Sequence, residues 1–346
     1  MPAGARPRIA LVGLGMAVKP HAESYLDLAD RVEVAWAWSP SAGRRAAFAE
    51  SFPFPLATSL DQILADETVT AVGIQTPPNT HLELVGRCAA AGKHVLLEKP
   101  LEVDLPRSTA VVETCERAGV TLGIMLQHRF RPSGARLREL LAEGDLGRPI
   151  GGHVSVLNWR PQSYYDQPGR GTFARDGGGV LITQAIHTLD LFLTLMGLPA
   201  EVIAHASTTP VHTMEAEDLV TGSLRYESGA QFSLMATTAS YPGFPEVITL
   251  LCERGTAEIT GTMLTVRFHD GRTENFGADS SGGGTGADPM DFPNDYHRSI
   301  IADFFDAIET GRAPCTSGRS ALEVHRLIDV LLESAVNGRP VLLATA

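Results

Sequence analysis

The chain of 346 residues lacks the features that would commit it to several classes of function. Its four cysteines, Cys88, Cys115, Cys252 and Cys315, are scattered, with no Cys-x-x-Cys pair and no histidine at zinc-site spacing. Neither a disulfide framework nor a structural zinc is therefore expected. Cys88 and Cys115 fall in helical patterns and read as small packing residues. Cations are scarce: 28 Lys and Arg stand against 40 Asp and Glu, a net charge of −12, and no basic run offsets it locally. Such a surface repels nucleic acid and acidic membranes, so neither is an expected partner. No apolar run reads as long enough to span a bilayer, and no charged-then-apolar signal sequence opens the chain. The expectation is a soluble, reduced, cytoplasmic protein. There is no internal repeat.

What is present is an ordinary globular balance, 44% hydrophobic and 20% charged, at a length that favours two domains. The first third alternates strand and helix patterns. Apolar runs at Arg8–Val12, Val32–Trp38, Val69–Gln75, His94–Glu98 and Val120–Leu126 read as buried parallel strands, with helical periodicity over His81–Ala91 and Leu105–Ala118. That alternation predicts a doubly wound parallel sheet with right-handed crossovers. After about Gly147 the rhythm changes. Ile150–Asn158, Val202–Thr209, Asp218–Tyr226, Ala230–Thr238 and Val247–Cys252 read as strands joined by short turns, with a hairpin connection at 226–230. Helices are expected at Val180–Met196, Tyr296–Glu309 and Arg319–Val336. The fold class is α/β: a Rossmann domain over 1–125, then an α+β domain with a mostly antiparallel open sheet over 126–346. The segment 277–288 is Gly-rich and reads as a mobile loop, with a lid as the other possibility.

The strand Ile9–Val12 runs into Gly13-Leu14-Gly15-Met16 and the start of a helix. Gly13 permits the tight turn, and Gly15 lets a pyrophosphate approach the backbone at the helix N-terminus. Val18 replaces the third glycine of the usual fingerprint. The second strand ends Trp36-Ala37-Trp38-Ser39 without the acidic residue that would hold the ribose of NAD. Ser39 with Arg44 and Arg45 could accommodate a 2′-phosphate, a slight lean towards NADP; equally, the arginines could be solvated on the next helix. Three further strand ends carry polar residues: Thr76-Pro77-Pro78-Asn79-Thr80-His81, Glu98-Lys99-Pro100 and Gln127-His128-Arg129-Phe130. In a parallel sheet all of them lie at the carboxyl edge, where ligands bind. The candidate cofactor-binding residues are therefore Gly13, Gly15, Met16, Trp38, Ser39, Thr76, Pro77, Asn79, His81, Glu98, Lys99 and Gln127. No metal is expected.

Further on, Asp176-Gly177-Gly178-Gly179 precedes a helix on which Thr183, His187 and Asp190 share one face. An imidazole there suits general acid–base work, or is a buried histidine satisfied by Asp190 or a carbonyl.

Taken together, Gly13-Leu14-Gly15, Thr76 to His81, the run Ala91 to Pro100, Gly177-Gly178-Gly179 leading to Ile186-His187 and Asp190, and the late signals Asp303-Phe304, Ala307-Ile308 and Glu333-Ser334-Ala335 resemble the Gfo/Idh/MocA family of NAD(P)-dependent oxidoreductases. The resemblance spans nearly the whole chain. It implies a Rossmann domain followed by an α/β domain whose open sheet makes oligomer contacts, so a homodimer or homotetramer is expected. It also implies that Lys99 and His187 are the active-site pair and that Glu98 touches the nicotinamide ribose. Thr183 stands where the family often has Asp or Asn. The stretch Asn158 to Tyr165, with Arg170 and Asp176, resembles substrate-contact regions. The substrate candidates are thus Arg160, Tyr165, Arg170, Asp176, Thr183 and His187. The expected reaction is hydride transfer between nicotinamide and a secondary alcohol of a sugar, cyclitol or sugar acid. A cofactor-binding sensor and a redox-neutral glycosidase are the alternatives.

Overall fold

In the computed structural model, residues 6–277, 285–286 and 293–343 are described. The chain forms two compact units, Met1–Gln127 with Pro293–Leu322, and His128–Phe292 with Glu323–Ala346.

The first unit is built on a parallel sheet of β1 (Arg8–Val12), β2 (Glu33–Trp38), β3 (Ala71–Ile74), β4 (His94–Leu97) and β5 (Leu122–Ile124), in the order β2-β1-β3-β4-β5. Every residue of β3 and β5 is buried, as in strands covered on both faces, and this is why they read as unbroken apolar runs. The connecting helices are α1 (Val18–Asp27), α2 (Ala42–Ser51), α3 (Leu60–Ala65), α4 (His81–Ala90) and α5 (Leu105–Ala118). Local chemistry sets their ends. The Asp104 carboxylate accepts the Arg107 N–H at 2.8 Å to start α5, Pro106 sits in its first turn, and Gly119 closes it in the left-handed conformation.

The sequence division assigned everything after residue 125 to a second domain. The structure returns Pro293–Leu322 to the first unit. The helix Asp295–Thr310 packs on α1, and the Ile124 N–H donates to the Thr316 carbonyl at 2.8 Å, extending the hydrogen bonding of β5.

The second unit carries nine strands: β6 (Pro149–Leu157), β7 (Glu201–Ser207), β8 (Leu219–Arg225), β9 (Gln231–Thr237), β10 (Val247–Cys252), β11 (Gly255–Thr260), β12 (Met263–Phe268), β13 (Thr273–Phe276) and β14 (Val341–Leu342). Their order is β13-β12-β11-β10-β6-β9-β8-β7-β14, parallel between β6 and β9 and antiparallel elsewhere. The expected hairpin joins β8 to β9, with the Tyr226 N–H on the Ala230 carbonyl at 3.0 Å. Along β7, β8 and β9 buried and exposed positions alternate, leaving one face open, with Ile203 and Met235 exposed, as is Leu251 on β10.

The expected helix Val180–Met196 is two elements. A π-helical turn, Leu181–Ala185, precedes an α-helix, Ile186–Met196. By length and composition Phe173–Met196 could cross a membrane, at mean hydropathy 1.4, which corrects the expectation that no run is long enough. In this fold 67% of that window is buried, as in the core helix of a globular unit. All four cysteines are free, with Cys88, Cys115 and Cys252 buried and Cys315 exposed. Most of the loop 277–288 lies outside the described residues.

Candidate active site

Parallel strands all end on the same side, so topology alone gathers the residues following β1 to β5 at one edge of the first unit. Gly13 follows β1 with φ +103°, and a Cβ there would lie 2.7 Å from the Gln75 backbone. Only glycine fits that turn. A Cβ on Gly15 would meet nothing nearer than the Arg44 guanidinium at 3.9 Å, so the backbone is open to a ligand with a cation beside it. Helix α1 begins three residues later with no side-chain cap and no acidic residue in its first turn. Its orphan N–H groups favour an anion. Met16 is exposed, and the Trp38 carbonyl accepts the Gly13 N–H at 2.9 Å.

The end of β2 shows the two arginines in different roles. Arg45 Nη1 donates to the Ser39 carbonyl at 2.6 Å, whereas Arg44 reaches towards Gly15. Ser39 is buried beneath them. After β3, Thr76 is tied to Thr80 through their hydroxyls at 2.7 Å, Pro77 is half-buried and Asn79 exposed. His81 is fully buried, with Nδ1 at 3.0 Å from the Pro100 carbonyl and Nε2 at 2.9 Å from the Thr76 carbonyl. Its ring therefore joins the β3 and β4 loops, and burial holds its pKa below the ordinary imidazole range. Gln75 is a residue the sequence analysis passed over. Both polar atoms of its amide are buried and, among the described residues, have no hydrogen-bond partner. Such a group waits for a ligand or water. With the Gly13–Gly15 turn and Arg44, it fits a dinucleotide.

Glu98 and Lys99 follow β4, and the Lys99–Pro100 peptide is cis. Glu98 Oε1 lies 2.6 Å from His21 Nε2, and Oε2 accepts the Lys99 backbone N–H at 3.1 Å. Neither His21 nor its neighbour His297 was singled out in the sequence. Gln127 opens a short 3-10 turn after β5.

In the second unit His187 stands on the Ile186–Met196 helix, half-buried, its ring centroid 5.2 Å from that of His128. His128 Nε2 lies 2.7 Å from Arg131 Nη2. A guanidinium can only donate, so this nitrogen accepts, and a neutral His128 carries its proton on Nδ1. Arg131 is bound in turn to Glu246 and to the Gly261 carbonyl. Asp190, one of the two partners considered for a buried His187, is held by Arg129, with Nε at 2.6 Å and Nη2 at 2.5 Å. The π turn places Thr183 so that its hydroxyl donates to the Gly179 carbonyl at 2.6 Å. A Cβ on Gly179 would come within 1.7 Å of the Glu217 carbonyl oxygen, so glycine lets this segment press against Glu217, whose carboxylate accepts the Gly179 and Leu181 N–H groups at 3.1 and 3.2 Å.

The other substrate candidates lie in the same unit. Arg160 is 1% exposed, bonded through its guanidinium to Gln184 at 2.7 Å and to the Trp159 and Gly286 carbonyls. Tyr165 bonds Thr238 through its hydroxyl at 2.7 Å, and burial pushes its pKa up. Arg170 is more open: it stacks over Tyr164 at 5.0 Å and lies 3.8 Å from Asp176, which Arg175 also approaches at 3.6 Å. Two guanidiniums against one carboxylate leave a local excess of positive charge.

The chain is similar to several known proteins. Residues 7–126 match the family model described as an oxidoreductase family with an NAD-binding Rossmann fold, and residues 135–258 match the GFO/IDH/MocA C-terminal domain, together more than half of the chain. A D-xylose 1-dehydrogenase (NADP(+)) from Haloferax volcanii is 29% identical over 86% of this chain and 88% of its own length. A 1,5-anhydro-D-fructose reductase from Ensifer adhaerens is 35% identical, although the match spans 60% of this chain and 62% of that enzyme. The crystal structure of the WlbA dehydrogenase from Bordetella pertussis, in complex with NADH and UDP-GlcNAcA, superposes with a TM-score of 0.84 at 27% identity, covering 99% of this chain and all of the other.

Proposed function

From the premise that this chain belongs to the Gfo/Idh/MocA family of oxidoreductases, we propose that it is an NAD(P)-dependent dehydrogenase acting on a secondary alcohol of a sugar, cyclitol or sugar acid. The observation that carries the reading is the carboxyl edge of the first sheet. A glycine turn, a cation, an orphaned amide and Lys99 all stand where a dinucleotide binds.

Bound nicotinamide supplies the hydride chemistry. The residues of this chain do the rest. Gly13, Gly15 and the N-terminus of α1 would hold the pyrophosphate, with Arg44 beside it. Because β2 ends in Ser39 and no carboxylate, with Arg44 nearby, NADP is the favoured form. His187 would take the hydroxyl proton as the substrate is oxidised, and Lys99 would hold the hydroxyl oxygen and stabilise its developing negative charge. Thr183 cannot relay a proton as a carboxylate would, which leaves His187 as the acceptor. Arg170 would bind an anionic substituent on the substrate. Among the relatives, one is named for D-xylose and another was crystallised with UDP-GlcNAcA, which supports a carbohydrate substrate. The open face of the second sheet, with Ile203, Met235 and Leu251, suits a second copy of the chain, to be checked by solution mass. The composition suits a cytoplasmic location.

The test follows nicotinamide absorbance while the protein meets NAD⁺ or NADP⁺ and a panel of pentoses, hexoses, cyclitols, sugar acids and nucleotide sugars. A substrate-dependent rise, larger with NADP⁺, is expected. A flat trace across the panel despite measured cofactor binding would overturn the reading.

A further inference from the structure

Three segments distant in sequence meet behind the catalytic turn. His21 comes from α1, Glu98 from the end of β4, and His297 from the helix Asp295–Thr310. His21 and His297 are buried, with ring centroids 5.3 Å apart in an edge-on contact. A carboxylate only accepts, so His21 Nε2 is the donor in its 2.6 Å bond to Glu98. The other Glu98 oxygen receives the main-chain N–H of Lys99. His21 thus holds Glu98, and Glu98 holds the backbone of Lys99.

The charges agree with the geometry. Burial pushes the Glu98 carboxyl up, yet the hydrogen bond from His21 and the electrostatic influence of His21, His297 and Lys99 bring it below the ordinary range. Burial, with help from His21 and Lys99, pulls His297 down to about 3 against the opposing influence of Glu98. The carboxylate is therefore ionised and the second imidazole neutral at working pH. The same three side chains could also be read as metal ligands, their donor atoms lying within 4.8 Å of one another. Two ligands of a tetrahedral zinc, each about 2.1 Å from the metal, stand roughly 3.4 Å apart. The 2.6 Å contact is a hydrogen bond, and it fits a fixed carboxylate better than a metal.

We propose that His21 and His297 are positioning residues for the catalytic lysine: through Glu98 they fix the Lys99 backbone and hold a negative charge close to its ammonium group. This rests on Lys99 being the substrate-facing lysine of the proposed dehydrogenase. The arrangement keeps Lys99 cationic, which suits it to stabilise an alkoxide and leaves proton uptake to His187. The other titratable groups around the turn are His81, on the Pro100 and Leu101 carbonyls, and Glu102, paired with Arg107 at 2.7 Å.

The chain has only three lysines, Lys19, Lys93 and Lys99, so the Lys99 ammonium can be titrated by itself. Lys19 is largely exposed, and Lys93 Nζ donates to the Asp66 and Val69 carbonyls at 2.8 Å. With ¹³C-labelled lysine, the Lys99 ε-carbon is assigned by its loss in Lys99→Met and followed against pH by NMR. Removing an adjacent opposite charge moves such a midpoint by about 1–3 pH units. Glu98→Gln, which keeps the shape, should lower the Lys99 midpoint by about one pH unit or more, and His21→Ala, which leaves the carboxylate charged but untethered, should lower it by a smaller, resolvable amount. His21→Gln, whose amide can donate from near the Nε2 position, should stay close to wild type, and His297→Ala should give a smaller downward shift. An unmoved midpoint in both Glu98→Gln and His21→Ala, or His21→Gln no better than His21→Ala, overturns the proposal. Failure of the dehydrogenase reading shows separately, as a flat nicotinamide trace in the unsubstituted protein, whereas full turnover in Lys99→Met would remove only the substrate-facing role of Lys99.

Discussion

Both units bury carboxylates next to a proposed catalytic residue, and they hold them by different means. In the first, Glu98 is held by a histidine with a second histidine packed behind it. In the second, Asp190 is gripped by two nitrogens of Arg129, and Glu246 is bound by Arg131. A guanidinium stays charged at every pH the protein meets, whereas an imidazole changes charge near neutrality. The arginine pairs therefore act as fixed supports for the helix that carries His187 and for the ring of His128. The histidine cluster holds its carboxylate through an imidazole hydrogen bond instead and stands at the turn that carries Lys99. Among Glu98, Asp190 and Glu246, the two acids held by arginine support structure, and the one held by histidine stands at the proposed chemistry.

The largest expected effect tests the chemistry side. Lys99→Ala and His187→Ala should each lower turnover about 10²- to 10⁴-fold while leaving the unfolding midpoint near wild type. Near wild-type turnover in both would dissolve the assignment on which the comparison stands. Next comes the scaffold side. Arg129→Met leaves Asp190 buried without its counter-charge and should cost about 3–5 kcal/mol in urea unfolding, most of it recovered when Asp190→Leu is added. A loss below about 1 kcal/mol in the single variant would mean that the pair is no support at all.

The smallest effect, a slope, sharpens the contrast. His297 has a depressed pKa in the folded state, so its contribution to stability is complete above about 6.5 and is lost as pH falls towards about 3. Glu98 is also depressed, so its share is complete above about 4.5 and is lost below that. Wild-type stability should therefore fall on acidification from pH 6.5 to 4.5, and His297→Phe should flatten that stretch. Denaturant midpoints at several pH values measure it, and equal slopes in the two proteins would refute the account.

Much of this is legible in the sequence. The carboxyl-edge residues could be gathered from sequence because strand direction alone places them, and α5 was bounded correctly because Asp104, Pro106 and Gly119 are local signals. Strands β11 and β12 were missed although Ala257 and Ile259, then Leu264, Val266 and Phe268, alternate as half-buried strands should. The π turn left no readable mark, so the shared face of Thr183, His187 and Asp190 was drawn on a regular helix. His21, Gln75 and His297 were invisible for a different reason. A lone histidine among buried helix positions looks like packing, and its partner Glu98 stands 77 residues away. Only the fold brings such pairs together.

The return of Pro293–Leu322 to the first unit has a consequence for how the protein is made. On the ribosome, β1 to β5 emerge first, but the helix that packs on α1, the carbonyl that extends β5 and the second histidine of the cluster emerge only after eight of the nine strands of the second sheet, β6 to β13, have been translated. The nucleotide-binding unit is begun first and completed late. A chain ending near residue 127 would carry the glycine turn and the lysine without the contacts that Pro293–Leu322 adds to the unit.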